Sequence, residues 1–384
     1  MWKSYNFKGA NVLYKVGILS MQRVVNHGSF LQAYGLKKLI EKSGVNCQCD
    51  FIDLPEIRPQ NRRKYICPSF FDRIKYIIHR LLGHDAHCKD LYAAWHPSFR
   101  FKVHKKSLKK YLGLTDVRNY KTDYSTVVIG SDEIFNCTQY HTTWADTMML
   151  FGQGIDSDNI ISYAGSFGYT TIDQLKEYGL IQKITENLKN FKAISVRDEN
   201  SAKIIEILSN KKPLTHLDPV LVYDYNNEIS KRRIKKKYIL VYQYHGRIQE
   251  KTFIEKIKEI AKRDKCRIIS ISGYCDWADK NIITNSFEVM RFFRDAEYVV
   301  TDTFHGCIMS IKFHKKFVTF CRESNENKLY NLLSKFSLQT QIADSDCDPD
   351  SIFNNYINWA YVDSIISNER KRTIQYLKDN IFNR

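Results

Sequence analysis

The chain has 384 residues, and 59 Lys plus Arg against 42 Asp plus Glu leave a formal charge of +17 with histidine neutral. At 43% hydrophobic and 26% charged residues, with 16 Gly and 7 Pro, it is a globular chain long enough for two or three cored domains; a disordered tail, a fibre and a linker are excluded. No apolar stretch reaches the roughly 20 residues of a membrane span. The segment MWKSYNFKGANVLYKVGILSM has no signal-peptide cleavage site, and the ten cysteines are too scattered for a secreted disulfide scaffold, so a cytoplasmic protein with reduced thiols is expected.

Residues 13–19 are an apolar run that reads as a buried strand. A helix carrying Phe30, Leu31, Tyr34, Leu36, Leu39 and Ile40 follows, with Ser29 placed to cap it and Gly44 to end it. Cys47 and Cys49 alternate with polar residues as a strand does, and lack the CxxC spacing of a zinc or redox site. His84, His87 and Cys88 form a metal candidate, for which a solvated basic loop is the preferred reading. Further strands are expected at 50–54, 126–129, 160–164, 193–196 and 214–217, with helices at 171–190 and 199–208. The basic segment 99–113 interleaves Phe99, Phe101, Val103, Leu108 and Leu112 with charge. It suits an interfacial helix on a membrane or, preferably, a helix that lays its apolar stripe on the core.

The run KRRIKKK at 231–237 reads as an exposed linker between domains. Beyond it come strand 238–244, helix 251–263, strand 266–272, helix 287–294, strand 298–301, helix 305–314 and strand 317–320, then helical pattern after 350. Strands alternating with helices signal parallel βαβ units, because a parallel crossover needs a long connection. The expected fold class is α/β, with two doubly wound domains.

In such sheets ligands bind beyond the carboxyl ends of the strands. The post-strand segments are SMQRVVNHGSF, GSDEIFN, SYAGSFG, SVRDENS and TDTFHG. In the last, Asp302, Thr303 and His305 emerge at a strand end and Gly306 opens a helix. A histidine there titrates near working pH and suits general acid or base work, while a buried or capping histidine is the structural alternative. Arg197 offers a planar fork for carboxylate or phosphate, with Asp198 placed to orient it or to cap the next helix. Lys328 opens a helical pattern, where a cation opposes the helix dipole unless an anion partners it. The surplus positive charge attracts phosphates, but no zinc finger, helix-turn-helix or RNP motif accompanies it, so nucleic acid is not the expected partner.

Taken in order, GILSMQRVVNHGSFLQAYGL, GSDEIFN, SYAGSFG, SVRDENS, LDPVLV and TDTFHGCIMSIKFHKKFVTF resemble the motifs of the polysaccharide pyruvyl transferase family across about residues 12–335. That resemblance implies two Rossmann-like domains facing a central cleft in a glycosyltransferase-B-like arrangement, here 1–230 and 231–365, with a C-terminal helix, 366–384, returning to the first domain. It also implies phosphoenolpyruvate as donor substrate, no cofactor, and a hexose acceptor, lipid-linked or nucleotide-linked, that becomes a pyruvate ketal of a capsular or exopolysaccharide. A lipid-linked acceptor would bring the protein to the inner membrane face. By resemblance His305 is the acid/base and Asp132 a second base or orienter. Arg197 and Lys328 hold phosphate and carboxylate, and Ser131, Thr303, Asn26 and Ser166 complete the substrate contacts. Thr303 stands where many members have Arg, so anion binding must be supplied elsewhere. Phe135 replaces a usual Trp, and Glu133 and Ile134 alter the same loop, changing the surface on which an acceptor would stack. A nucleotide-sugar glycosyltransferase and a non-catalytic anion-binding scaffold are the competing readings.

Overall fold

The computed structural model describes residues 13–44, 46–55, 69–81, 85–138, 147–244, 246–322, 325–344 and 347–382. Buried β-branched and aromatic runs build two parallel sheets. The first contains β1 (Tyr14–Leu19), β2 (Cys47–Ile52), β3 (Thr126–Asp132), β4 (Ile160–Gly165), β5 (Phe191–Ala193), β6 (Ser195–Val196) and β7 (Leu214–Thr215), in the order β2-β1-β3-β4-β6-β7 with β5 also paired to β4. The second contains β8 (Tyr238–Gln243), β9 (Arg267–Ser272), β10 (Lys280–Ile282), β11 (Tyr298–Thr301), β12 (Lys316–Phe320) and β13 (Ile342–Ala343), in the order β10-β9-β8-β11-β12-β13. Counted from its own first strand, that is 3-2-1-4-5-6, the order of a dinucleotide-binding Rossmann sheet. Strand order reverses between β1 and β3 in one sheet and between β8 and β11 in the other, and crevices form at such switch points.

The chain departs from expectation where local chemistry overrides apolar pattern. The single helix expected over 171–190 is two, Ile172–Glu177 and Ile181–Leu188, because Gly179 takes φ +63° between them. Strand 193–196 is interrupted at Ile194, and strand 214–217 shortens to β7. Asn26, not Ser29, caps the first helix, His27–Ser43, its side chain accepting from the Gly28 amide at 2.7 Å; Gly44 ends that helix as expected. The 99–113 segment lies in the helix Asp85–Ser107 and the turn Leu108–Leu112; Leu108 and Leu112 join the core, Phe99 and Val103 are half-buried, and Phe101 is exposed. His84 lies outside the described residues, as do the side chains of His87 and Cys88. Among the described residues no cluster of three or more His, Cys, Asp or Glu is arranged for a metal, and no helix is long and apolar enough to cross a membrane.

The linker 231–237 is exposed, yet the two sheets share a core. Phe287 of the second half packs edge-on to Tyr34 at 5.0 Å, Phe30 at 5.6 Å and Tyr111 at 4.8 Å. Lys312 reaches across to donate to the carbonyls of Leu221 and Tyr223 at 3.1 and 2.7 Å, and burial pulls its pKa down to about 7. The last helix, Trp359–Ile381, starts earlier than the expected boundary at 366 and spans both halves. Trp359 stacks on His314 of the second, whereas Tyr376 donates to Ser162 O at 2.7 Å and Thr373 meets Tyr163 Oη at 2.9 Å in the first. Its return to the first domain rests on Leu377, fully buried there. Leu377→Ala should cost about 2–5 kcal/mol of stability, read as a lower urea midpoint for the first domain.

Candidate active site

The carboxyl ends of both sheets open on one cleft of about 460 Å³. From the first half it is lined by Asn26, Ser29, Asp132, Glu133 and Arg197; from the second by Tyr244, Arg247, Asp302, Thr303, His305 and Lys328. The turn after β11 delivers His305. Thr303 caps the helix Phe304–Lys312 by accepting from the Gly306 amide at 2.9 Å, which fixes the first turn and turns the imidazole toward the opposite domain. There it nests on Gly28, where a Cβ would stand 2.2 Å from His305 Nδ1, so only glycine admits the ring.

The centre of the site is Asp218, which sequence reasoning did not single out. Its Oδ2 lies 2.9 Å from Arg197 Nη1 and 3.5 Å from His305 Nε2, and its Oδ1 accepts from the Val220 amide at 2.9 Å. Arg197 from one domain and His305 from the other thus meet on one oxygen. At 3.5 Å the imidazole is attracted electrostatically without a regular hydrogen bond, and its Nε2 is buried and otherwise unpartnered. Burial works against the Asp218 carboxylate, but His305, Arg197 and the Val220 amide outweigh it and hold its pKa below the ordinary carboxylate value. Burial likewise disfavours the Arg197 cation, and Asp132, Asp218, Asp198 and Glu133 reverse that and raise its pKa. The guanidinium also lies 4.2 Å from the Phe304 ring centroid. The signal that pointed to Asp218 was LDPVLV: a carboxylate before proline reads as a helix cap, and it is one, with its second oxygen left for Arg197 and His305.

Around this centre, Asp132 accepts from Ser29 Oγ at 3.1 Å and lies 3.4 Å from Arg197 Nη1. Lys328 has the anionic partner that its place at the start of the helix Glu326–Lys335 demands, and that partner is Glu133 across the cleft. Burial disfavours the Glu133 carboxylate, but Lys328 and Arg197 prevail and lower its pKa. Asn26 donates to Tyr244 Oη at 2.8 Å, another tie between domains.

Two expected substrate contacts turn out to be scaffold. Ser131 is fully buried and donates its hydroxyl to Gln32 Oε1 at 2.7 Å, and Ser166 is fully buried and donates to Asp198 Oδ2 at 2.5 Å. Asp198 in turn caps the helix Glu199–Ser209 through the Ser201 amide at 2.8 Å. Small hydroxyl residues after a strand satisfied the turn, not a ligand. Phe135, expected to alter an acceptor-stacking surface, is likewise fully buried among Phe151 and Phe167, and Ile134 is core; of the GSDEIFN segment Asp132 and Glu133 reach the cleft.

On the far wall Asp302 is fully buried between two arginines that sequence reasoning passed over, Arg247 Nη1 at 3.6 Å and Arg322 Nε at 3.3 Å. Burial pushes its carboxyl up in pKa although both arginines oppose this. Arg247 comes four residues after the end of β8, in the loop beyond a strand's carboxyl end, which was the available signal.

Asp218→Asn removes the charge that both domains share and leaves Arg197 underpaired, so it should cost about 3–5 kcal/mol at pH 7. Because the Asp218 pKa is depressed on folding, the parent has this stabilisation above the ordinary carboxylate pKa of about 4 and loses it as pH falls through the lowered value. Urea unfolding of both proteins at pH 7 and pH 3 should show the gap narrowing in acid.

Comparison of the sequence with curated proteins finds no match. Solved structures similar to it include the S. aureus MnaA–UDP co-structure (11% identity, TM-score 0.44, covering 96% of this chain and 91% of that one). A putative UDP-N-acetylglucosamine 2-epimerase from Listeria monocytogenes gives 9% identity and TM-score 0.45, covering 95% and 98%. The glycotransferase of kitacinnamycin gives 8% and 0.48, covering 96% and 100%. The family model for polysaccharide pyruvyl transferase matches residues 26–324. That span begins at Asn26 and runs through Asp218, His305 and the arginines of the far wall, taking in both sheets, and the chain belongs to the polysaccharide pyruvyl transferase family, transferases of polysaccharide biosynthesis.

Proposed function

We propose that this transferase takes phosphoenolpyruvate as donor and forms a pyruvate ketal on a hexose, lipid-linked or nucleotide-linked, during assembly of a capsular or exopolysaccharide. The observation that carries this reading is the Asp218 oxygen shared by Arg197 and His305. It sets an imidazole proton beside a guanidinium in a cleft that, at about 460 Å³, is of a size for a drug-like ligand and larger than a three-carbon acid needs.

The chemistry follows from these groups. His305 delivers a proton to the donor methylene, which becomes the methyl and leaves positive charge at C2. One sugar hydroxyl attacks C2, the C2–O bond to phosphate breaks, and a second hydroxyl closes the ketal. The two hydroxyls release two protons, one balancing the methyl and one leaving with phosphate. Asp218 stabilises the imidazolium and fixes its direction, as the carboxylate does in other acid/base pairs. Asp132, open to the cleft and steadied by Ser29, faces the hydroxyl pair. Arg197 and Lys328 line the wall that receives the donor's anionic groups. Thr303 spends its hydroxyl on the helix cap, and Asn26 positions Tyr244, so both shape the cleft. His305→Gln should lower phosphate release from phosphoenolpyruvate, measured with a sugar acceptor, by about 10²–10⁴-fold. Full activity in the folded variant removes His305 from this chemistry.

Contact with an anionic membrane face belongs to the same reading, and what supports it is the helix Phe70–Leu81 rather than segment 99–113. Phe71, Ile74, Ile77 and Ile78 fall on one side of that helix and are 79%, 39%, 56% and 49% exposed, while Tyr76 turns inward to Trp95 at 5.6 Å. Lys75, exposed in the same helix, adds charge that anionic headgroups attract. The protein should sediment with phosphatidylglycerol vesicles and not with phosphatidylcholine vesicles. Phe71→Ser with Ile78→Ser should weaken that binding at least tenfold, and an unchanged partition refutes the assignment.

A further inference from the structure

The charges in the cleft are unevenly balanced. Arg197 of the first domain already faces Asp132 and Asp218, and Lys328 of the second domain faces Glu133 of the first. On the second-domain wall Arg247, with Arg322 beside it, shares the single carboxylate of Asp302. That wall keeps net positive charge whether Asp302 is ionised or protonated. Both arginine side chains are also partly open, at 40% and 33% exposure, whereas Arg197 is 4% exposed. A group that binds an incoming dianion gains from uncompensated charge and from access, and this pair of arginines has both.

The local construction points the same way. Arg322 donates to the Arg247 carbonyl, which sets the two side chains together. Asn325 clamps the turn by donating to Asp302 O at 2.8 Å and accepting from the Arg322 amide at 2.8 Å. Neither Asp302 oxygen has a regular hydrogen bond, nor does the buried Arg322 Nε. A buried carboxylate left so incompletely satisfied is a costly way to stabilise a fold, and a sensible way to hold two arginines in a fixed fork. The cluster sits beyond the adjacent ends of β8 and β11, at the switch point of a 3-2-1-4-5-6 sheet, where phosphorylated ligands bind such folds.

We propose that Arg247 and Arg322, splinted by Asp302, form a phosphate-binding subsite of the cleft, supplying the positive charge that Thr303 does not. This rests on the donor and acceptor chemistry above only for the identity of the ligand. The phosphate comes from the donor, phosphoenolpyruvate, or from the diphosphate that carries the acceptor sugar.

The test is calorimetric titration of the intact protein with inorganic pyrophosphate, which requires no turnover. The parent should bind it. Arg247→Gln with Arg322→Gln, at an unchanged melting midpoint, should weaken binding at least tenfold, and Arg247→Lys, which keeps the charge but loses the fork, should fall between. Equal affinity in parent and double variant overturns the proposal, as does absence of binding in the parent. Asp302→Asn should weaken binding through misplacement of the arginines; the conservative Asp302→Glu, if folded, should recover part of the loss. The source is read from two further titrations of the double variant. A tenfold loss for phosphoenolpyruvate assigns the subsite to the donor, and a tenfold loss for a nucleoside-diphosphate hexose or a short-chain polyprenyl-diphosphate hexose assigns it to the acceptor's carrier. No loss for any of them overturns it. A parent that binds pyrophosphate here yet releases no phosphate from phosphoenolpyruvate would sink the proposed reaction and leave this subsite standing.

Discussion

One oxygen atom, Asp218 Oδ2, holds this cleft together. It stands 2.9 Å from a guanidinium of its own domain and 3.5 Å from an imidazole of the other, so the ring of the second domain is tied to an ion pair of the first. Removing such groups from water costs several kcal/mol per ion, and the mutual attraction repays this only when the geometry is good and further hydrogen bonds help. The Val220 amide, the Phe304 ring and the second carboxylate of Asp132 supply that help. A hydrophobic plug would fill the space at lower cost. The arrangement keeps an imidazole and a guanidinium adjacent in a shielded place.

The rest of the molecule can be understood as what that meeting requires. An imidazole and a guanidinium from different sheets stay within reach of one oxygen only if the sheets cannot drift. The aromatic cluster around Phe287, the Lys312 side chain buried against two carbonyls of the first domain, and the helix Trp359–Ile381 lying on both halves all oppose drift. Gly28 shows how close the approach is: the first helix carries no side chain at the point where His305 rests on it. Domain packing and site geometry are here one constraint.

Sheets and site were legible in the sequence to different degrees, for physical reasons. Runs such as 238–244 and 298–301 are apolar on both faces because parallel strands are covered on both, and they stood out in β8 and β11 nearly residue for residue. Short edge strands such as β10 and β13 bury too little to leave a pattern. His305 and Arg197 were visible because each leaves a buried strand directly, and a large polar group at that point must face either solvent or a ligand. Ser131 and Ser166 occupy equivalent places but are small enough to turn inward, where Gln32 and Asp198 satisfy them. Asp218 was obscured because its one visible task, capping a helix before a proline, is common; that its other oxygen joins two domains is a fact of tertiary structure alone.

The turn after β11 divides its work between two adjacent residues, Asp302 and Thr303. At the start of a helix the Thr303 hydroxyl accepts from an amide, which an arginine cannot do, so the first turn and with it His305 are fixed more firmly. Asp302, the residue just before Thr303, draws two guanidinium groups that lie far from it in the chain, Arg247 at 3.6 Å and Arg322 at 3.3 Å. Asp302 faces a buried position that would be prohibitive for a lone carboxylate. The two arginines make it tolerable, and it holds them at the mouth of the cleft. Thr303 fixes the first turn that carries His305, and Asp302 gathers two guanidinium groups beside it, so packing of the ring and placement of charge are set by adjacent residues of the same turn.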